Sequence, residues 1–339
     1  MGRRGKGLLR GIVAVALCAA ATLTAADGPY KLTNHTRLGF NVTSTTFDAA
    51  NNRLYASTRD GVWVVDTKGP KVLGQISKTS GAGSVAYSPE HSELYLLSLH
   101  EDVMRVIDVA NKKVVRSFDA PAWFNVFYDG SRNELYYLRA DTRDVRIADR
   151  MDGHTIKTLT LDGHPSSVLV DAPRHRVIVR LADRDLIQII DTNDRSISVS
   201  WPMTADGQTV MAIDDTGNRL FVSSGKNLKM IDGQSGKEMS RISVGDIVRS
   251  IVYDPSTQML AALWSQNHVR VAQVGTLGLS NVQDIDTRAA VRQLFLDPAS
   301  HFIYAVATLA EDDVMGINAN TSPQSGLRVS SLLTLAYKK

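Results

Sequence analysis

Residues 81–118 read GAGSVAYSPEHSELYLLSLHEDVMRVIDVANKKVVRSF. Four runs rich in Val, Ile, Leu and Tyr follow one another in this stretch: Ser84 to Tyr87, Glu93 to Leu97, Val103 to Ile107 and Lys113 to Phe118. Turn formers or charges separate them, at Ser88-Pro89-Glu90, His100-Glu101-Asp102 and Asp108 to Asn111. β-branched and aromatic side chains suit a pleated, half-buried surface, and Pro, Asn and Asp interrupt it, so the stretch predicts four short strands joined by tight turns.

The same unit recurs on either side. The second-strand pairs Leu54-Tyr55, Leu94-Tyr95, Leu135-Tyr136, Val177-Ile178, Leu220-Phe221, Leu260-Ala261 and Ile303-Tyr304 are spaced 40, 41, 42, 43, 40 and 43 residues apart. The first-strand ends Phe47-Asp48, Tyr87-Ser88, Tyr128-Asp129, Val170-Asp171, Ile213-Asp214, Tyr253-Asp254 and Leu296-Asp297 give the same six spacings. A third landmark closes the third strand at Val65-Asp66, Ile107-Asp108, Ala148-Asp149, Ile190-Asp191 and Ile231-Asp232, then weakens to Val271-Ala272 and Ile317-Asn318. Landmarks in step over seven copies of about 41 residues, spanning roughly 42–329, are the signature of a repeat architecture. Four strands per copy predict an all-β chain, a seven-bladed β-propeller of four-stranded antiparallel blades.

The motifs Leu94-Tyr95, Val106-Ile107-Asp108-Val109-Ala110-Asn111-Lys112-Lys113-Val114-Val115, Leu220-Phe221-Val222-Ser223 and Ile190-Asp191-Thr192-Asn193 resemble the YVTN-repeat β-propeller family. The resemblance covers nearly the whole chain beyond its N-terminal segment. It implies an architecture more than an activity, because relatives of this kind include sugar lactonases, quinoprotein dehydrogenase subunits and exported binding proteins.

The N-terminus has a different composition. Arg3, Arg4, Lys6 and Arg10 precede an apolar run from Ile12 to Leu23, and the small residues Thr24, Ala25 and Ala26 follow. This is the pattern of a secretory signal peptide, with cleavage expected after Ala26 and a periplasmic or secreted product. Residues 27–339 are expected to form one propeller domain. Losing four basic residues and no acid takes the formal net charge from +3 to about −1, which removes the support for nucleic acid as a partner. The single cysteine, Cys18, leaves with the signal, so packing rather than disulfides must stabilise the rest. No later segment is long and apolar enough to span a bilayer.

Two terminal runs, Lys31 to Leu38 and Gly326 to Leu335, compete to supply the strand that closes the ring. The first-strand aspartates each precede a polar turn, where a carboxylate accepts bonds from the next amides, so they are assigned to architecture rather than catalysis.

In a propeller the loops leading into first strands and those joining second to third strands meet at one mouth of the channel. Those loops carry the candidate ligand-binding residues Arg59, His100, Trp123, Arg143, His164, Arg184, Trp201 and His268, a set suited to a small anionic or sugar-like ligand. Arg249 and Arg292 join them, because five of the seven copies have no charge at that position; Asp246 and Asp284 are the acids that would pair with them on a merely structural reading. The positions Ser44, Ser84, Asn125, Ser167, Val210, Ser250 and Gln293 are expected to face the channel. No nucleophile elbow, zinc-protease helix, phosphate loop or haem-attachment motif is present, so no cofactor or metal is assigned and catalytic residues stay unassigned. The leading expectation is an exported module that binds a ligand or an envelope protein partner. The alternatives are a lactonase-like hydrolase at the channel mouth and a redox accessory, either a quinoprotein subunit or a haem-binding propeller.

Overall fold

Residues 81–118 form strands Ala82–Ser88, Glu93–Ser98, Val103–Asp108 and Lys113–Asp119, paired antiparallel in that order. Burial follows position in the blade: the second strand is buried on both faces from Leu94 onward, whereas the fourth alternates between exposed and half-buried residues. The computed structural model describes residues 28–98, 101–120, 125–139, 141–203, 209–308 and 330–338, and it arranges them as seven four-stranded antiparallel sheets. The innermost strands of blades one to seven are Ser44–Asp48, Ala82–Ser88, Asn125–Asp129, Pro165–Asp171, Met211–Asp214, Val248–Asp254 and Ala290–Asp297.

Each seam between neighbouring blades holds its own apolar cluster, and the seven clusters together make the core. The seam of blades one and two, for example, packs Tyr55, Val62 and Val64 against Val85, Leu94 and Leu96. Burial on both faces explains why the inner three strands read as almost continuous apolar runs.

The ring is closed by both chain ends, in different places. Tyr30–Arg37 is the outermost strand of blade seven and pairs with Ser330–Tyr337, which pairs in turn with Phe302–Thr308. The two terminal runs therefore do not compete; one supplies the fourth strand and the other the third. The repeat's spacing had set the third strand of blade seven near Ile317-Asn318, which lies outside the described residues, but the register brings Leu335 opposite Ile303. In blade six the third strand runs on to Val274, and Gln273 rather than Ala272 takes the aspartate position. The long segment between second and third strands of blade seven breaks the spacing on which that landmark relied.

The first-strand aspartates are buried turn-makers. Asp129 accepts the Ser131 amide at 3.0 Å, Asp254 the Ser256 amide at 3.0 Å and Asp297 the Ala299 amide at 3.0 Å. The residue just before each second strand takes a left-handed conformation although none is glycine: Asn52, Ser92, Asn133, His175, Asn218, Gln258 and His301 all have φ between 49° and 62°. The same end of the ring carries polar ties between blades. Arg150 reaches Glu93 at 3.0 Å, Arg195 reaches Glu134, Arg176 reaches the Asn218 side chain and Gly233 carbonyl, and Arg219 reaches the Gly275 carbonyl at 2.8 Å. His301 meets Asp254 at 2.9 Å, and the Tyr304 hydroxyl donates to the Thr67 carbonyl at 2.9 Å across the closing seam.

Tyr30 is 1% exposed, packs edge-on against Tyr337 with centroids 5.3 Å apart and belongs to the core between blades six and seven. Tyr30→Ala is expected to cost about 3–5 kcal/mol in urea unfolding, against less than about 0.5 kcal/mol for Val199→Ala on an outer strand. Burial acts to raise the Asp214 and Asp254 carboxyls, but hydrogen bonds from the Gly217 amide and Thr216 and Arg219 side chains at Asp214, and from Ser256 and Thr257 at Asp254, outweigh it and hold both below the ordinary range. A depressed native pKa stabilises above the unfolded value of about 4 and is lost as pH falls through the native value. Melting temperature should therefore fall below about pH 4, and Asp254→Asn should flatten that fall.

Candidate functional site

Because strands alternate in direction outward from the axis, the loops into first strands and the loops between second and third strands emerge on one face, called here the upper face. The opposite face carries the aspartate turns and the ties between blades. Arg59, Arg143 and Arg184 lie exposed on upper-face loops, as the sequence predicts. His100 and Trp123 lie outside the described residues.

Arg249 and Arg292 occupy a distinctive backbone position. In blade six Val248 pairs with Trp264 and Ser250 with Leu263, which leaves Arg249 as the extra residue of a β-bulge. In blade seven Val291 pairs with Ala307 and Gln293 with Val306, which leaves Arg292 in the same position. A bulge re-aims the side chain it carries, and these two are exposed at the upper ends of adjacent inner strands. The strands are tied directly: the Leu294 amide donates to Ser250 Oγ at 3.0 Å. Neither predicted acid neutralises the pair, since Asp246 accepts the Ile247 amide at 2.8 Å and Asp284 takes Arg270 in a two-pronged bond at 2.7 and 2.8 Å. Among the described residues neither arginine makes an ion pair.

Beside Arg249 stands a residue the sequence reading did not select. Trp264 closes the second strand of blade six, at a register position held by Thr58, Ser98, Arg139, Leu181 and Ser224 in blades one to five. That departure from the repeat was a legible signal. The half-buried indole lies 4.9 Å from the His268 ring and 5.3 Å below the Arg270 guanidinium, and Gly245 approaches its edge so closely that a Cβ there would stand 3.2 Å away. Trp264 Nε1 and His268 Nδ1 are buried and find no hydrogen-bond partner among the described residues. The rim of blades six and seven thus presents two exposed guanidiniums without ion pairs among the described residues, while the indole packs into the seam of blades five and six.

A second cluster lies at blades three and four. His164 is bound to Asp183 twice, through its amide at 2.6 Å and through Nδ1 at 2.9 Å, and Arg139 clamps Asp141 at 2.8 and 2.6 Å. The His164 side-chain bond, followed by its amide bond, takes the Asp183 carboxyl down to about 2. This arrangement orients an imidazole on the upper face, held by the Asp183 carboxylate. His164→Ala should let the Asp183 carboxyl rise toward the ordinary value near 4, read as its carboxyl-carbon shift in an NMR pH titration.

Two expectations need correction. Trp201 is no upper-face ligand: it sits in the outer strand Ser196–Pro202, 6% exposed, packed with Ile178, Ile187 and Met211 and pressed against Gly236. The lead-in loop of that blade begins only after Pro202, so the ring belongs to the core between blades four and five. Ser84 and Ser250, read as facing the channel, instead accept the Val126 and Leu294 amides of the next inner strand at 3.2 and 3.0 Å. Among the described residues one acidic group gathers at metal-ligand spacing, Asp149, Asp152 and His154, but it belongs to an exposed turn on the opposite face, where Asp149 accepts the Met151 amide and Asp152 the His154 amide.

No protein-family model matches this chain. Two curated relatives share 23% identity over 137 residues, the "Uncharacterized protein YncE" of Salmonella typhi and that of Salmonella typhimurium; the match spans 38% of this chain and 38% of each relative's length. Among solved structures, the β-propeller domain of Cps50 (Swd1) from Myceliophteria thermophila superposes with a TM-score of 0.70 at 13% identity, covering 91% of this chain and 100% of that one. A chain of the Mitotic Checkpoint Complex superposes with a TM-score of 0.71 at 14% identity, covering 97% and 99%. At such identities the likeness is one of fold alone, that of the β-propeller.

Proposed function

We propose that this chain is an exported, YVTN-type binding propeller that holds a small anionic or sugar-acid ligand on its upper face, at the rim of blades six and seven. The observation that carries the reading is the pair Arg249 and Arg292, set on equivalent β-bulges of adjacent inner strands, exposed and unneutralised among the described residues. Guanidinium groups offer fixed forks of donors that match carboxylates. Export rests on the basic segment and the apolar run from Ile12 to Leu23. The partial likeness to the Salmonella proteins and the motifs Leu94-Tyr95 and Ile107-Asp108 support the YVTN reading.

The test is a thermal-shift screen of residues 27–339 against aldonic and uronic acids, lactones, polyanions and neutral sugars. Uronic acids or other small carboxylates should stabilise, neutral sugars should not, and the double variant Arg249→Ala/Arg292→Ala should keep its melting temperature while binding at least about tenfold more weakly. Failure of every anion to stabilise, or unchanged affinity in the double variant, overturns the reading. A hydrolytic reading draws on the His164–Asp183 pair, whose geometry orients an imidazole as a general base. It requires turnover of a lactone panel that His164→Ala abolishes.

A further inference from the structure

On the opposite face, blades three and four are joined by an ion pair that the residues at the seam of blades one and two cannot make. Where blade three meets blade four, Glu134 is the first residue of a second strand and Arg195 is the left-handed residue of the facing turn, and the two form an ion pair with Nε 3.1 Å from the carboxylate. Blade two meets blade three through Glu93 and Arg150, and blades four and five send Arg176 and Arg219 forward to turn carbonyls. Blade six meets seven through Asp254 and His301, and seven meets one through Tyr304 and Thr67. At the seam of blades one and two the positions equivalent to Glu134 and Arg195 hold Arg53 and Lys112, two cations. Lys112 has the left-handed φ of 53° that Arg195 shares at 49°. Like charges cannot form the latch, and Arg53 turns back to Asp66 of its own blade at 2.7 Å and to the Asn52 carbonyl at 3.1 Å. Among the described residues Lys112 has no ion pair.

A cleft of about 330 Å³ opens at this place. Arg53 and Lys112 line it together with Tyr55, Val64, Leu73 and Val109, and Leu73 is 37% exposed although apolar. Its volume falls at the small end of the range for ligand pockets. Arg53 and Lys112 make the lining cationic on one side, Asn51 and Ser92 add polar groups, and Tyr55, Val64, Leu73 and Val109 supply apolar surface, a lining suited to an occupant with an anionic head and a hydrophobic body.

We propose that the cleft between blades one and two is a binding site for a small organic carboxylate with an apolar body, whose anionic head takes the place that Glu134 holds in the latch of blades three and four. The carboxylate would lie against Lys112 and the face of Arg53 not used by Asp66, and the body would cover Leu73 and Val109. This site is on the face opposite Arg249 and Arg292 and independent of them.

The probe is 3-phenylpropionate, titrated calorimetrically into the purified protein, with neutral 3-phenylpropanamide as the control for charge. Saturable binding at millimolar concentration or below is expected for the acid, with the amide at least about tenfold weaker. Lys112→Glu restores an acid opposite Arg53; it should abolish binding while holding or raising the melting temperature. Lys112→Ala, at an exposed position, should weaken binding at least about tenfold without affecting folding. No saturable binding at about 10 mM, equal affinity for acid and amide, or unchanged affinity in the Lys112 variants would each overturn the proposal.

Discussion

A four-stranded blade of this sequence is apolar on both faces, and the rest of the structure follows from that one constraint. Val62 and Val64 on one blade and Leu94 and Leu96 on the next have nowhere to go except against each other, and the same holds at every seam. Seven seams can all be buried only if the ring closes, because an open array would leave two apolar faces and two strand edges in water. Closure is achieved by drawing Tyr30–Arg37 from the beginning of the chain and Ser330–Tyr337 from its end into one sheet. The ends of the sequence are thus held by hydrogen bonds between residues about three hundred positions apart, a non-local pairing that carries the loop-closure cost of the whole chain.

The two faces of the ring divide the polar work. On the lower face many charges are committed: aspartates cap their turns, and Arg150, Arg176, Arg195 and Arg219 tie one blade to the next. Such ties add little energy individually where they are half-exposed, but they fix the angle at which blades meet. On the upper face the first strands of blades six and seven bulge and carry Arg249 and Arg292 away from the ladder. Charges left unused by the architecture are the ones available to a ligand. The same distinction marks the seam of blades one and two, where Arg53 and Lys112 occupy the positions that Glu134 and Arg195 hold between blades three and four.

Departures from the repeat that changed charge drew attention to Arg249 and Arg292, which the structure places on exposed β-bulges, whereas the departure at Trp264 was passed over. The misreading of Trp201 has a different cause. Whether an aromatic residue near a loop faces solvent depends on where the preceding strand ends, and the strand Ser196–Pro202 runs two residues further than its polar neighbours Ser198 and Ser200 suggest. Tryptophan at that position packs inward under Gly236, whose φ of 72° brings the backbone against the ring.

The amino-acid sequence by itself determined the number of blades, the strands within each and the turn-making role of the aspartates, because these are set by local alternation and by a period that recurs unbroken through six copies. Only the tertiary structure decided how the seventh blade is completed, which upper-face charges stay unneutralised and where two cations confront each other across a seam. Each of those depends on which residues of different blades come together, and a periodic sequence fixes the spacing of its blades without stating which side chains will meet between them.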